Sequence, residues 1–191
     1  MLVIWLAGCT PKHSFSVQDV DTRGTLPKLA FTLTDTATGK IVTAADFRGK
    51  DVLLYFGYTN CPNVCPATLY DLERMMRGMG PLESHFRILF VTVDPNRDTP
   101  KEMAQYVTLF GTDITGLRGS PAQLVAVAGR YHAGYSVTPA SPGHEYTVTH
   151  TAAVFAFGPH GNSQFIVAGL SSTKPDFKGI AADLRWLANL G

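Results

Sequence analysis

The chain has 191 residues, of which 45% are hydrophobic and 16% are charged. This length fits one domain at about 100 to 200 residues per domain, and the composition excludes an intrinsically disordered chain. Lys and Arg number 16 against 15 Asp and Glu, and the charges are scattered, so nucleic acid is not the expected partner.

The first nine residues, MLVIWLAGC, form an uninterrupted apolar stretch that ends in Cys9. The stretch is shorter than the roughly 20 residues needed to cross a bilayer. It resembles a bacterial lipoprotein box, in which a signal peptide is cut before the cysteine and that cysteine is acylated. We therefore expect residues 1–9 to be a signal or anchor segment lipidated on Cys9, on the periplasmic or extracytoplasmic face of a bacterial membrane. An incidental Cys9 near the N-terminus is the alternative.

Residues 10–26 lack apolar periodicity and contain turn-forming residues, which predicts a tether. The folded domain is then expected to cover residues 27–191. It begins with a β-hairpin, in which residues 31–35 and 41–43 flank a connection containing Gly39.

A buried strand is predicted next, over VLLYFG at residues 52–57, because the run is continuously apolar. It leads directly into CPNVC at residues 61–65. Pro66 suits the first position of a helix, and that helix carries apolar residues at helical spacing. Met75, Met76 and Met79 belong to this pattern, so we expect them to pack in the core rather than bind metal.

The rest of the chain alternates strands and helices. A strand over residues 87–94 precedes two helices that begin with Pro in a capping box, at Thr99-Pro-Lys-Glu102 and Ser120-Pro-Ala-Gln123. Residues 150–157 and 163–168 are expected to form a second hairpin, followed by a last helix over residues 174–190. This order predicts an α/β domain of thioredoxin-like fold with an N-terminal β-hairpin and an extra helix.

Cys61 and Cys65 lie between the end of the buried strand and the first helical turn, where open α/β sheets place their chemistry. On one helix face their Cβ atoms would be about 5–6 Å apart, near the roughly 3.5–4.5 Å of a disulfide. A helix N-terminus also favours the thiolate, which is the nucleophile and the metal ligand. Two sulfurs favour Cu(I) or zinc, but structural zinc needs four ligands. A redox couple and a copper site both remain open.

One of the six histidines could supply a third ligand. His150 stands at the start of an apolar run, at the position from which thioredoxin-like folds address their active site, although a buried structural histidine is the alternative. The others are better interpreted as exposed or locally hydrogen-bonded side chains: His13, His85, His132, His144 and His160.

Three stretches occur in order: DFRGKDVLLYFGYTNCPNVCPATLYDL, LFVTVDPNRDTPKEMAQYV and VTHTAAVFAFGPHGN. Together they resemble the Sco/SenC family of membrane-anchored copper proteins, over about residues 27–190. The resemblance implies copper, as Cu(I) or Cu(II), bound by Cys61, Cys65 and His150, and help in assembling the CuA centre of cytochrome c oxidase. The implied partners are cytochrome c oxidase subunit II, the membrane through the lipid anchor, and another periplasmic copper chaperone or thioredoxin-like reductase.

Two positions depart from the family pattern. Many members have His where this chain has Asn60 and an acid where it has Thr149, so copper affinity or the orientation of the His150 ring is expected to differ. Asp94 and Arg97 belong to the matched DPNRD motif. They are candidates for supporting the site from outside through loop closure and an ion pair, or for direct chemistry.

A metallochaperone is therefore expected rather than an enzyme. The alternative is a membrane-anchored thiol-disulfide oxidoreductase in which the redox-active pair Cys61 and Cys65 reduces partner cysteines. Such enzymes use CxxC opposite a cis-proline, whereas this chain has CxxxC and Thr149-His150-Thr151. A copper-responsive or redox-responsive signalling module also stays open. A thiol peroxidase is disfavoured because Tyr58 replaces the usual Thr or Ser three residues before the cysteine.

Overall fold

The computed structural model describes residues 13–190, which form a mixed α/β domain of thioredoxin-like fold. The strands are β1 (Asp19–Asp21), β2 (Thr32–Asp35), β3 (Ile41–Thr43), β4 (Asp51–Gly57), β5 (Phe86–Thr92), β6 (Ile114–Arg118), β7 (Tyr135–Thr138), β8 (Thr147–His150), β9 (Val154–Phe157) and β10 (Ser163–Val167). The helices are α1 (Val64–Arg77), α2 (Pro100–Thr108), α3 (Pro121–Arg130) and α4 (Phe177–Ala188), with 3₁₀ helices at Ala44–Phe47 and Gly80–His85.

Eight of these strands form one sheet in the order β1-β10-β9-β4-β5-β6-β2-β3. The central pairs β4–β5 and β5–β6 are parallel, so the carboxyl ends of these strands meet at one edge. Every residue of β4 is buried, which confirms the strand predicted from its apolar run. Helices α1, α2 and α4 pack on one face of the sheet, and α3 packs on the other.

Several local predictions are confirmed. Strands β2 and β3 form the expected hairpin, and Gly39 adopts φ 70° in its connection, a conformation that favours glycine. Both capping boxes are present, with Thr99 and Ser120 as the N-caps of α2 and α3. Helix α1 begins two residues before Pro66, with Asn63 as its N-cap. Pro is tolerated there because the first four amides of a helix need no intrahelical acceptor.

Strand β6 was not predicted, because it is short and has Gly116 at its centre. A Cβ on Gly116 would lie 2.6 Å from the Thr36 side-chain oxygen, and the Thr36 hydroxyl and amide both donate to the Gly116 carbonyl. Glycine is thus required by the close approach of a neighbouring segment, and it weakens the apolar pattern that would have revealed the strand.

The prediction that residues 10–26 form a tether is wrong for the part that is described. Strand β1 pairs with β10 at the edge of the sheet. Phe15 packs against Phe165 and Trp186, and His13 stacks on Trp186 with ring centroids 4.3 Å apart. These contacts come from distant parts of the chain, so the local sequence shows no periodicity. The packed structure therefore begins before residue 27.

The strand predicted over residues 150–157 is divided in two. His150 ends β8, which pairs with β7 in a separate two-stranded sheet, whereas β9 joins the main sheet beside β4. His150 is therefore carried by a hairpin that stands apart from the main sheet.

No helix within residues 13–190 is long and apolar enough to cross a membrane. The segment 1–9 and the lipidation expected on Cys9 lie outside the described residues.

Candidate metal site

The two cysteines differ in exposure and in their relation to helix α1. Cys65 lies within the first helical turn and is fully buried, whereas Cys61 precedes the helix and is partly exposed. Both are free thiols. The amide of Cys65 donates a hydrogen bond to the Cys61 sulfur over 3.4 Å, so the sulfur caps one of the unpaired amides at the helix start.

Gly57, the last residue of β4, makes room for the buried thiol. A Cβ at this position would lie 2.8 Å from the Cys65 sulfur and 2.6 Å from Cε2 of Phe90. Both neighbours are fully buried, so neither can move aside easily. The glycine that ends the VLLYFG run is therefore part of the site, although it carries no ligand.

His150 completes a group of three potential metal ligands. Its Nε2 lies 3.2 Å from the Cys65 sulfur, and its Nδ1 lies 3.1 Å from the Thr151 carbonyl oxygen. A proton on Nδ1 would satisfy that carbonyl and leave the Nε2 lone pair facing the cysteines. The ligand atoms of Cys61, Cys65 and His150 all lie within 4.8 Å of one another.

Two tyrosine rings surround the imidazole. Tyr55 and Tyr58 present their rings to His150 at centroid separations of 6.1 and 5.8 Å, both edge-on. Tyr58 also donates a hydrogen bond from its hydroxyl to the Val148 carbonyl over 3.0 Å. These rings limit the movement of the imidazole on one side.

Burial favours the neutral forms of Cys65 and His150. Desolvation raises the pKa of the Cys65 thiol to about 12 and lowers the pKa of His150. The sequence suggested that the helix N-terminus would favour the thiolate, but for Cys65 the cost of burying a charge is larger. In the metal-free protein both groups are thus neutral near pH 7. A bound cation must displace the proton of Cys65.

The remaining histidines, and the methionines in and just after α1, do not join the site. Met75, Met76 and Met79 are buried in the core, as predicted. His13 hydrogen bonds to Asp183 over 2.7 Å, and His85 contacts the Ala188 carbonyl. The other three are largely exposed: His132, His144 and His160.

The DPNRD motif adjoins the site without contacting the ligand atoms. Asp94 forms an ion pair with Arg97, with Oδ2 2.5 Å from Nε. Asp98, the last residue of the motif, for which the sequence predicted no role, is fully buried. Its carboxylate accepts hydrogen bonds from the Thr59 amide at 3.2 Å and from the hydroxyls of Thr59 and Thr92 at 2.6 Å each. The motif therefore holds the loop that leads to Cys61.

Two thiols and an imidazole converge at the carboxyl end of a parallel strand pair, an arrangement that could hold a small metal ion on a thioredoxin-like domain. Comparison with known protein families agrees with this interpretation. The family model SCO1/SenC matches residues 21–189, so the chain belongs to the SCO1/SenC family.

Relatives are similar in sequence and in fold. The mitochondrial SCO2 homologue of Bos taurus is 40% identical over 129 residues, which cover 64% of this chain and 47% of that protein. The structure of Bradyrhizobium japonicum ScoI with copper bound is 34% identical, covers 84% of this chain and 98% of that chain, and has a TM-score of 0.72. Copper-bound yeast Sco1 is 28% identical over 83% of this chain and 90% of its own, with a TM-score of 0.71.

The curated relatives correct one expectation. Those from cow, human and budding yeast are mitochondrial proteins, so the predicted bacterial envelope location is wrong. The chain spans about half the length of the curated relatives it matches, with 47% of the cow protein covered.

Proposed function

We propose that this chain binds one copper ion through Cys61, Cys65 and His150 and delivers it during assembly of cytochrome c oxidase. The observation that carries the metal assignment is the convergence of these three ligand atoms within 4.8 Å. Thiolate sulfurs and imidazole suit copper better than hard cations, which prefer oxygen. Two similar solved structures, ScoI and yeast Sco1, hold copper.

Each ligand would have a separate task. Cys61, which is partly exposed, is the sulfur that an incoming copper ion can reach first. Cys65 would bind next and lose its proton to solvent, and the Nε2 of His150, 3.2 Å from the Cys65 sulfur, would supply its lone pair to the metal. Thr151 fixes the imidazole through Nδ1. The side chain of Thr149 is exposed and makes no hydrogen bond within residues 13–190, so the acid found there in many family members has no substitute.

Single substitutions test the metal assignment. Reduced protein is loaded with copper in the presence of a competing chelator, and the stoichiometry and affinity are measured. Cys61→Ala, Cys65→Ala and His150→Ala are each expected to weaken one-to-one binding strongly. Met76→Ala is the control, because that buried side chain belongs to the core. Tight binding that survives all three ligand substitutions would contradict the assignment.

Membership of the SCO1/SenC family supports a role in cytochrome oxidase assembly. The finer proposal is delivery of copper to the CuA centre on oxidase subunit II. Its test is transfer: copper-loaded protein is mixed with a metal-free, reduced, soluble subunit II domain, and the CuA absorption is followed. The oxidised, metal-free form is the blank, and a failure of the copper-loaded protein to produce CuA absorption, where the same amount of free copper does produce it, would contradict copper delivery.

A second function, thiol-disulfide exchange, is favoured by the unequal exposure of the two cysteines. The Cys61 thiolate would attack a partner disulfide and release one partner thiolate. Cys65, after losing its proton, would attack the Cys61 sulfur and release the second, so two electrons pass to the partner and this chain is left with a disulfide. A His150→Ala variant that keeps full reductase turnover but loses copper would separate the two functions.

A further inference from the structure

The hairpin that carries His150 forms no strand pairs with the main sheet within the described residues, although Val148 packs in the core. Strands β7 and β8 pair with each other, and most residues between 136 and 147 are exposed. The two cysteines, by contrast, are attached to β4 and α1 in the core. The distance between the imidazole and the thiols therefore depends on contacts that hold the hairpin against the domain.

One such contact is a cluster of three side chains, Asp94, Arg97 and Tyr146. The Tyr146 hydroxyl donates a hydrogen bond to Oδ1 of Asp94 over 2.7 Å, and Arg97 pairs with Oδ2 of the same carboxylate. The guanidinium lies over the Tyr146 ring, 4.0 Å from its centroid, and donates to the Tyr146 carbonyl over 3.3 Å. Both oxygens of the Asp94 carboxylate are thus bonded, one to the hairpin and one to Arg97.

The energetics of this cluster favour a fixed position. The Asp94 side chain is only 2% exposed and that of Arg97 is 24% exposed. A hydrogen bond to a buried charged group is stronger than one between neutral groups, and stacking of a guanidinium on an aromatic ring adds a further attraction. Glu145, whose side chain is 91% exposed, approaches Arg97 only to 3.9 Å and contributes little.

The cluster lies at the start of β8, and His150 lies at its end. His150 is four positions after Tyr146, or about 13 Å at about 3.3 Å per residue of extended strand. Tyr58 braces the strand between them, through its hydroxyl on the Val148 carbonyl and its ring against His150. The Arg97 guanidinium is also 5.8 Å from the Tyr58 ring centroid, so Tyr58 and the cluster are in contact.

We propose that Tyr146 is a positioning residue for copper binding: with Asp94 and Arg97 it fixes the hairpin so that the His150 imidazole faces the two thiols. The proposal rests on the proposed copper function. Two parts of the DPNRD motif then have different roles. Asp98 holds the loop of Cys61, and Asp94 with Arg97 holds the strand of His150, so one loop sets the separation between sulfur and nitrogen ligands.

The test is a double-mutant cycle between Tyr146→Phe and His150→Ala in the full chain. Tyr146→Phe removes one hydroxyl and leaves the stacked ring. Copper affinity is expected to fall about tenfold, the range found when groups that orient a metal ligand are lost. In the His150→Ala background the same change is expected to have no effect, because no imidazole remains to be positioned. A general structural role would weaken copper binding in both backgrounds.

Tyr135→Phe is the matched control. It removes a hydroxyl from the same hairpin, and the Tyr135 hydroxyl has no hydrogen bond within the described residues. Its copper affinity is expected to equal that of the unchanged protein. Arg97→Lys keeps the charge but loses the stacking of the guanidinium on Tyr146 and its paired N–H donors. Its copper affinity is therefore expected to fall as in Tyr146→Phe.

A readout without metal separates this inference from the copper function. In metal-free protein, nuclear Overhauser contacts between the rings of Tyr58 and His150 are expected and should weaken in Tyr146→Phe but not in Tyr135→Phe. Unchanged contacts, or a loss of copper affinity below twofold, would overturn the positioning role. If His150→Ala leaves copper affinity unchanged, the proposed function fails, while the ring contacts still decide whether Tyr146 positions the imidazole.

Discussion

Replacing Gly57 by Ala tests the packing on which the buried thiol depends. The added Cβ would lie 2.6 Å from Phe90 and 2.8 Å from the Cys65 sulfur, both closer than ordinary contacts of about 3.5–4.0 Å. Relief requires movement of a fully buried ring or of the ligand itself. Such overpacking typically costs about 1–3 kcal/mol. At about 2–4 °C per kcal/mol for a domain of this size, we expect the melting temperature to fall by about 2–12 °C.

The same substitution should also weaken copper binding, because the Cys65 sulfur is one of the two groups that the new methyl would push aside. Thermal unfolding of the metal-free protein and chelator competition for copper measure the two effects separately. Gly129→Ala is the control: it lies in α3, where an added Cβ would meet nothing within 4 Å, and the new methyl should stabilise the helix by about 0.5–1 kcal/mol. Gly57→Ala with unchanged stability and copper affinity would refute the reasoning.

Three further predictions concern buried polar groups. Asp98→Asn places an amide donor against the Thr59 donors and should lower the free energy of unfolding, measured in urea, by about 2 kcal/mol. Unchanged stability would contradict the hydrogen bonds described. Burial raises the pKa of Asp51 to about 7, so ionisation of its carboxyl destabilises the fold as pH rises from about 4 to 7. The free energy of unfolding of Asp51→Asn should exceed that of the unchanged protein by on the order of 3 kcal/mol at pH 8 and should differ little at pH 4. The same pH dependence of stability in both proteins would contradict this prediction. His13→Ala removes the bond to Asp183 and should speed amide exchange in β1, while equal exchange would show that His13 does not anchor the segment.

The sequence predicted those elements whose causes are local. An apolar run predicted β4, and the capping boxes at Thr99 and Ser120 predicted the starts of α2 and α3. The position of Cys61 and Cys65 followed from this strand-to-helix order. His150 was found from its place before an apolar run, and the family resemblance assigned its role.

The features that the sequence did not predict depend on contacts between residues far apart in the chain. Strand β1 is stabilised by pairing with β10 near the other end of the chain, where Asp19 lies opposite Val167. Tyr146 meets Asp94 across 52 residues, and Gly57 meets Cys65 only after α1 has packed on the sheet. Burial of Cys65, which reverses the expected effect of the helix N-terminus on its pKa, likewise requires the complete fold.

The central claim is that two sulfurs and one imidazole nitrogen bind a single copper ion. X-ray absorption at the copper edge of the one-to-one Cu(I) complex measures this ligand set directly. We expect two sulfur scatterers and one nitrogen with the outer-shell pattern of imidazole, and we expect that pattern to disappear in His150→Ala while both sulfurs remain. A spectrum with fewer than two sulfurs, or one unchanged in His150→Ala, would contradict the account.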